Sequence, residues 1–191
     1  MSWNDFHHRS EILRVVVDTA NENRDGVLPM NVAGVTENFT DELDLVGALL
    51  LKWHARLSGN IERALTREPM DLQAAVAAAW RTTAEQLPGV RMVIDRCTDA
   101  PASPEMEHAM NRAHDRESLY LATAAGLSNG RSSDSVEAGR HVEQLARTGL
   151  VVRQPQEPLA EPELEPRTDK VIEVDAPTES LADRIRAVLA A

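Results

Sequence analysis

The sequence predicts an all-α protein: a bundle of six or seven helices followed by an acidic Pro/Glu-rich linker and a short C-terminal helix. Three observations predict it. Residues 40–65 carry apolar side chains at Leu43, Val46, Leu50, Trp53, Leu57, Ile61 and Leu65. These steps of three and four persist for about seven turns, which is the helical period. Similar stripes recur between Pro and Gly punctuation along the first 150 residues. Helix start and stop signals frame these stripes, Asp71 and Ser103-Pro104 at starts and Gly126 and Gly149 at ends.

The first helix is expected over residues 4–23, with Phe6, Leu13, Val16, Val17 and Ala20 as its apolar face. Arg24-Asp25-Gly26 ends it. Pro29 suits the first position of a short helix running to about Val35. Phe39 anchors the entry to the central helix, which Thr40 is placed to cap. Asp41, Glu42 and Asp44 sit where the helix dipole favours negative charge. Gly59 lies inside this helix at a cost of roughly 1 kcal/mol against Ala, which predicts close packing or a kink.

Asp71 is the expected cap of a helix over residues 72–87, with Leu72, Val76, Trp80, Thr83 and Leu87 inward. After Pro88-Gly89 a short helix is expected over 90–97, with Val90, Val93, Ile94 and Cys97 on one side. Ser103 as cap and Pro104 at the first turn open a helix to about Ala125, where Gly126 is a natural stop. Its expected core face is Met106, Met110, Ala113, Tyr120, Leu121 and Ala124. A last core helix spans about 135–148 and ends at Gly149.

Composition changes beyond that point. Five of the ten prolines lie between Gln154 and Pro177, amid seven carboxylates. Such a stretch cannot bury enough apolar surface to offset its ordering entropy. Residues 178–191 then read as an amphipathic helix with Leu181, Ile185, Val188 and Leu189 in its stripe, suited to docking on its own core or on a protein partner. The expected organisation is therefore an N-terminal helical region (1–39), a helical core (40–150), the linker (151–177) and the terminal helix (178–191).

The net charge is −11, and of 20 basic residues only Lys52 and Lys170 are lysine. This balance opposes broad affinity for nucleic acid or anionic lipid. Aromatics are 3% of the chain, too few for a base-stacking surface. The single Cys97 excludes an internal disulfide and suits a cytoplasmic protein. Neither a leader pattern nor an apolar run of membrane-spanning length is read, so no membrane association is expected.

No nucleotide-loop, nucleophile-elbow or CxxC motif is present, and neither a catalytic residue nor a cofactor is expected. Glu105-Met-Glu-His108 has the ExxH spacing of di-iron bundles, but those need two such motifs and two further glutamates. His114 and Glu117 repeat the spacing in reverse, and His54 and Glu62 are eight residues apart. The reading preferred for all of them is a solvated charged face, leaving no metal site. Trp53, His54, Trp80, Met106 and Met110, with Met92 nearby, either line an apolar ligand pocket or fill the core.

Arg9 to Leu57 resembles the N-terminal part of TetR-type transcriptional regulators. The residues that carry the likeness are RSEILRVVVDTA (9–20) and the junction Asn38-Phe39-Thr40-Asp41-Glu42-Leu43-Asp44-Leu45-Val46, followed by Ala48-Leu49-Leu50. AAWRTTAEQLPGVRMVID (78–95) is similar to ligand-domain helices of that family. The resemblance implies a TetR-like fold, a homodimer through the C-terminal core helices and a small apolar effector. Residues 26–39 depart from the pattern, being short for two helices and devoid of Lys and Arg. DNA binding would then rest on Arg9, Arg14, Lys52 and Arg56, with Arg24 beside them. The opening SWNDF is also similar to a group of chains from high-GC bacteria, which implies no activity. A second, local likeness is to winged-helix modules, through LATAAGLS (121–128) and Gly139 to Val151, with residues 171–174 as the returning strand.

The functional expectation is a non-enzymatic regulatory or interaction protein on a TetR-like scaffold with a degenerate DNA-reading part. The alternatives are a working transcriptional regulator, TetR-like or winged-helix, and a metal-dependent helical enzyme.

Overall fold

A computed structural model describes residues 3–67, 70–128 and 133–149, with side chains from His7 onward. The acidic linker, the C-terminal helix, the strand expected at 171–174 and the Phe6 side chain lie outside the described residues. Within them all regular structure is helical: α1 (Trp3–Asn23), α2 (Val35–Asn38), α3 (Glu42–Arg67), α4 (Leu72–Gln86), α5 (Pro88–Asp99), α6 (Pro104–Ala124) and α7 (Ser133–Thr148).

Four helices make the central bundle, and side-chain pairs give their directions. Asn60 donates to Thr83 and Arg56 to Gln86, so α3 and α4 run antiparallel. Arg140 meets Asp115 and His114 meets Glu143, so α6 and α7 do the same. Trp53 bonds Glu117 and Tyr120 bonds Ser58, which sets α3 and α6 side by side and parallel. The α5 segment makes the crossover between the two hairpins. It carries α1 on its outer side, so the N-terminal region and the bundle share one core. The described residues belong to one compact unit.

Two glycines permit backbone contact. A Cβ on Gly89 would lie 1.7 Å from the Ala20 carbonyl oxygen, and one on Gly139 would lie 1.7 Å from that of Ser118. Gly59, where close packing or a kink was expected, has nothing within 4 Å of a Cβ. It faces open space and marks no contact.

Local signals explain most helix ends. Asp71 accepts from the Ala74 N–H at 2.9 Å, and Ser103 from that of Met106 at 3.2 Å. Gly126 and Gly149 end α6 and α7 with φ of 69° and 68°. Three details differ from expectation. The cap of α3 is Asp41, which accepts from the Asp44 N–H at 2.8 Å. The Thr40 N–H instead donates to the Asp44 carboxylate at 3.1 Å. The short helix begins at Val35, where it was expected to end. Gly34 sits at φ 86°, which keeps the preceding residues in turns. Finally, α5 begins at Pro88, so Pro88-Gly89 opens the helix it was expected to precede, with no side-chain cap of its own at Leu87. Asn21 of α1 supplies it, its side-chain oxygen accepting from Gly89 at 3.0 Å and from Val90 at 3.4 Å.

The candidate functional site: a buried charge cluster beside an open trough

Glu117 on α6 is 3% exposed, although it was expected on a solvated face. Its carboxylate accepts from the Trp53 indole N–H at 3.1 Å and from that of Trp80 at 2.9 Å. The two rings meet edge to face with centroids 5.5 Å apart. Arg91 of α5 brings Nη1 to 3.6 Å from Glu117 and lies over both indoles, 5.0 Å from the Trp53 centroid and 5.8 Å from that of Trp80. The two aromatic faces and the carboxylate stabilise a guanidinium that hydration no longer reaches, while Nη1 itself makes no hydrogen bond.

The chain of charges continues toward α7. Arg91 donates to Asp95 at 2.6 Å and 3.0 Å. Arg147 grips the same carboxylate with two bonds, at 2.7 Å and 3.0 Å, and reaches Glu143 at 2.8 Å. His114 stands 3.8 Å from the other Glu143 oxygen. Burial alone would raise the Asp95 pKa. The Arg147 hydrogen bonds and the Arg91 charge outweigh it and hold the carboxyl below its ordinary value. Burial would lower the Arg147 pKa, but Asp95 and Glu143 more than compensate and drive it higher. Asp95 therefore stays ionised between Arg91 and Arg147 of α7, and the Glu117 carboxylate takes donors from α3 and α4. The cluster pins α3, α4, α5, α6 and α7 to one register.

The residues proposed for a pocket separate in space. Trp53, Trp80, Met106 and Met110 are at most 4% exposed and belong to the packed core. His54 is half-buried and lines a groove between α3 and α6. Burial lowers its pKa, Arg91 acts in the same direction, and Glu117 opposes both. Met92 is 41% exposed. Cys97 is half-buried, and burial raises its thiol pKa with a further push from Glu42.

The proposed DNA-binding residues do not form one patch. Arg9 donates to the Asn38 carbonyl, pairs with Asp44 at 2.6 Å and lies 4.1 Å over the Phe39 ring. Arg14 stands 4.0 Å from Asp18 in solvent. Arg56 is drawn toward α4 by Gln86 at 2.6 Å. Lys52 is exposed. Glu105 and His108 are exposed, and no three His, Cys, Asp or Glu side chains among the described residues gather as metal ligands. Nor is any described helix long and apolar enough to cross a membrane.

Outside the cluster, α3 presents Gly47, Leu50, Leu51 and His54 to α6, which presents Ala109, Arg112, Ala113 and Arg116. Between them is an open groove of about 560 Å³. A second groove, about 380 Å³, lies between α1 and α3 and shares Gly47 and Leu51 with the first. Leu51 is 72% exposed at their common edge. This face is hidden in the sequence, because Leu50 falls in the apolar stripe read as core and Leu51 lies outside that stripe.

No protein-family model matches the chain, and no curated protein and no solved structure matches it.

Proposed function

We propose that this protein is a non-enzymatic interaction or regulatory module that recognises its partner through the α3 ridge. The observation that carries this reading is Leu51, 72% exposed in the middle of a 26-residue helix and flanked by a groove on each side. Single exposed leucines are ordinary, but one at the junction of two apolar-floored grooves marks a recognition surface. The interior supports the same reading. Glu117, Arg91, Asp95 and Arg147 are engaged with one another, and of the side chains that suggested an effector pocket Trp53, Trp80, Met106 and Met110 are packed in the core.

On the TetR-type reading, the DNA-reading part is degenerate. Residues 26–39 contain the four-residue α2 and no Lys or Arg. Arg9 is engaged by Asp44 and Asn38. The homodimer and cytoplasmic location that go with that reading are measured by sedimentation and fractionation. An effector, on this proposal, sits in the trough and not in the bundle core.

The test places a photo-crosslinking residue at position 51 in the full chain inside cells, with exposed Glu85 as the control position. The expected result is a discrete adduct from 51 and none from 85. Adducts from neither position, or equal ones from both, overturn the reading. So does salt-sensitive, sequence-preferring binding to duplex DNA in an anisotropy titration.

A further inference from the structure

We infer that the α3–α6 trough is an unfilled helix seat, built to take an acidic amphipathic helix from a partner protein. The inference rests on the interaction reading above and specifies its partner.

The first argument is spacing. The α3 wall consists of residues 47, 50, 51 and 54, and the α6 wall of 109, 112, 113 and 116. Both follow i, i+3, i+4, i+7, the face one helix offers to another. The two sets differ by a constant 62 positions (109 − 47 = 116 − 54), so the walls run level and parallel. Further along, Trp53–Glu117 and Tyr120–Ser58 hold the same two helices together. Toward their N-termini the helices are not joined in this way, and the groove lies there.

The second argument is depth. Gly47, Ala109 and Ala113 have little or no side chain, and a Cβ on Gly47 would meet nothing within 4 Å. A third backbone can approach closely where small residues form the floor. The concave section fits a rod better than a planar membrane surface.

The third argument is charge. Arg112 and Arg116 line the groove and are exposed. Neither has an ion-pair or hydrogen-bond partner among the described residues, whereas Arg9, Arg91, Arg140 and Arg147 each have an acidic one. Asp44, at the edge of the neighbouring groove, is neutralised by Arg9. In a chain of net charge −11, this is a local cationic rim around apolar residues. Its complement is a helix with leucine-like residues on one face and Asp or Glu on its flanks.

The experiment uses the purified full chain and a fluorescein-labelled peptide of roughly 18 residues, about five helical turns. The peptide carries Leu at i, i+3, i+4 and i+7 and Glu at the flanking positions; a second peptide replaces each Glu by Lys. The acidic peptide is expected to bind at least about tenfold more tightly than the basic one, and more weakly at high salt. Leu51→Asp, Gly47→Trp and the double change Arg112→Glu with Arg116→Glu should each weaken it by about tenfold or more. Gly47→Trp fills the trough without removing a charge and improves helix propensity, so it separates blocking from misfolding. Circular dichroism confirms that each variant is folded.

Equal affinity for both peptides, no binding, or insensitivity to all three changes overturns the inference. Anionic vesicles that bind through Leu51 overturn it in favour of a lipid surface. The photo-crosslinker at position 51 in the purified chain covers the remaining occupants. An adduct to residues 178–191 of the same chain assigns the trough to the chain's own end, and a crosslinked dimer assigns it to a second copy. If the cellular adduct at 51 forms and the acidic peptide fails, the partner chemistry is wrong and the interaction reading stands. If both fail, both fall.

Discussion

Trp53 and Trp80 come from different helices, and their indole N–H groups converge on the single carboxylate of Glu117. Glu117→Ala would leave two buried indole N–H groups without their acceptor and remove the carboxylate 3.6 Å from the Arg91 guanidinium, which would keep only Asp95. Breaking a buried pair by deleting one partner costs about 3–5 kcal/mol. Urea unfolding should therefore show Glu117→Ala among the most destabilising single changes in the bundle. The control is Asp115→Ala, which breaks the exposed pair with Arg140 and should cost at most about 1 kcal/mol. Similar losses for both changes would mean the cluster does not hold the helices together.

The glycines give a prediction with opposite signs. Gly89→Ala and Gly139→Ala drive a methyl group onto backbone that cannot move aside, that of Ala20 in one case and Ser118 in the other. Each should cost about 2 kcal/mol or more by analogy with overpacked cores. Gly47→Ala and Gly59→Ala meet nothing, and each should gain about 0.5–1 kcal/mol from helix propensity. Thermal unfolding of the four variants measures both signs at once. A stabilising Gly139→Ala would show that α6 and α7 are further apart than described.

The helices were legible because their signals are local. Asp71, Ser103-Pro104, Gly126 and Gly149 act within one turn of where they stand, and the apolar steps of α3 need no partner to be read. Which face is buried depends on the neighbours. The single stripe expected for α3 omitted Leu45 and Leu49, both wholly buried, because α3 has partners on several sides. Gly59 and Gly139 are alike in sequence, and only the approach of Ser118 distinguishes Gly139. Glu117 was missed although a signal existed. It stands four residues after Ala113 and four before Leu121, in register with the apolar stripe of α6. A charged residue in that register, in a chain whose Trp53 and Trp80 both need an acceptor, points to burial. Arg91, between Val90 and Val93, is the same kind of signal. Arg91–Asp95 is an i,i+4 pair within α5, whereas the Arg147–Asp95 link that joins α7 to α5 had no local trace.

Stability should depend on pH in two windows. The Asp95 and Asp44 carboxyls are held below their ordinary value of 3.8, Asp95 by Arg147 and Arg91 against burial, and Asp44 chiefly by Arg9. A depressed carboxylate stabilises the fold fully above its unfolded pKa and loses that contribution as pH falls through the folded one, so this loss lies below pH 3.8. His54 acts at higher pH. Burial keeps it neutral in the folded protein, so below its ordinary value of 6.5 the unfolded chain takes up the extra proton. Stability therefore falls as pH drops through that value and is level above it. Between about pH 7.5 and pH 5.5, His54→Gln should lose less stability than the parent protein in urea titrations. Parallel losses would mean that His54 titrates as freely in the folded state as in the unfolded chain.

Arg9 and Asp44 decide between a structural and a DNA-binding reading of the N-terminal region. Arg9 ties α1 to the start of α3 through Asp44, the Asn38 carbonyl and the Phe39 ring. The pair is partly exposed, with 27% and 34% of each side chain accessible, so solvent screening limits its worth. Arg9→Ala and Asp44→Ala should each cost about 1 kcal/mol, and a double-mutant cycle should show coupling of about 0.5 kcal/mol or more. Asp44→Ala discriminates further. A phosphate-contacting Arg9 would be released by the loss of Asp44, and DNA affinity would rise. A structural Arg9 gives lower stability and no gain in DNA binding. We expect the second outcome from urea unfolding and DNA anisotropy on the same variant. A gain in salt-sensitive DNA affinity would return Arg9 to a recognition surface.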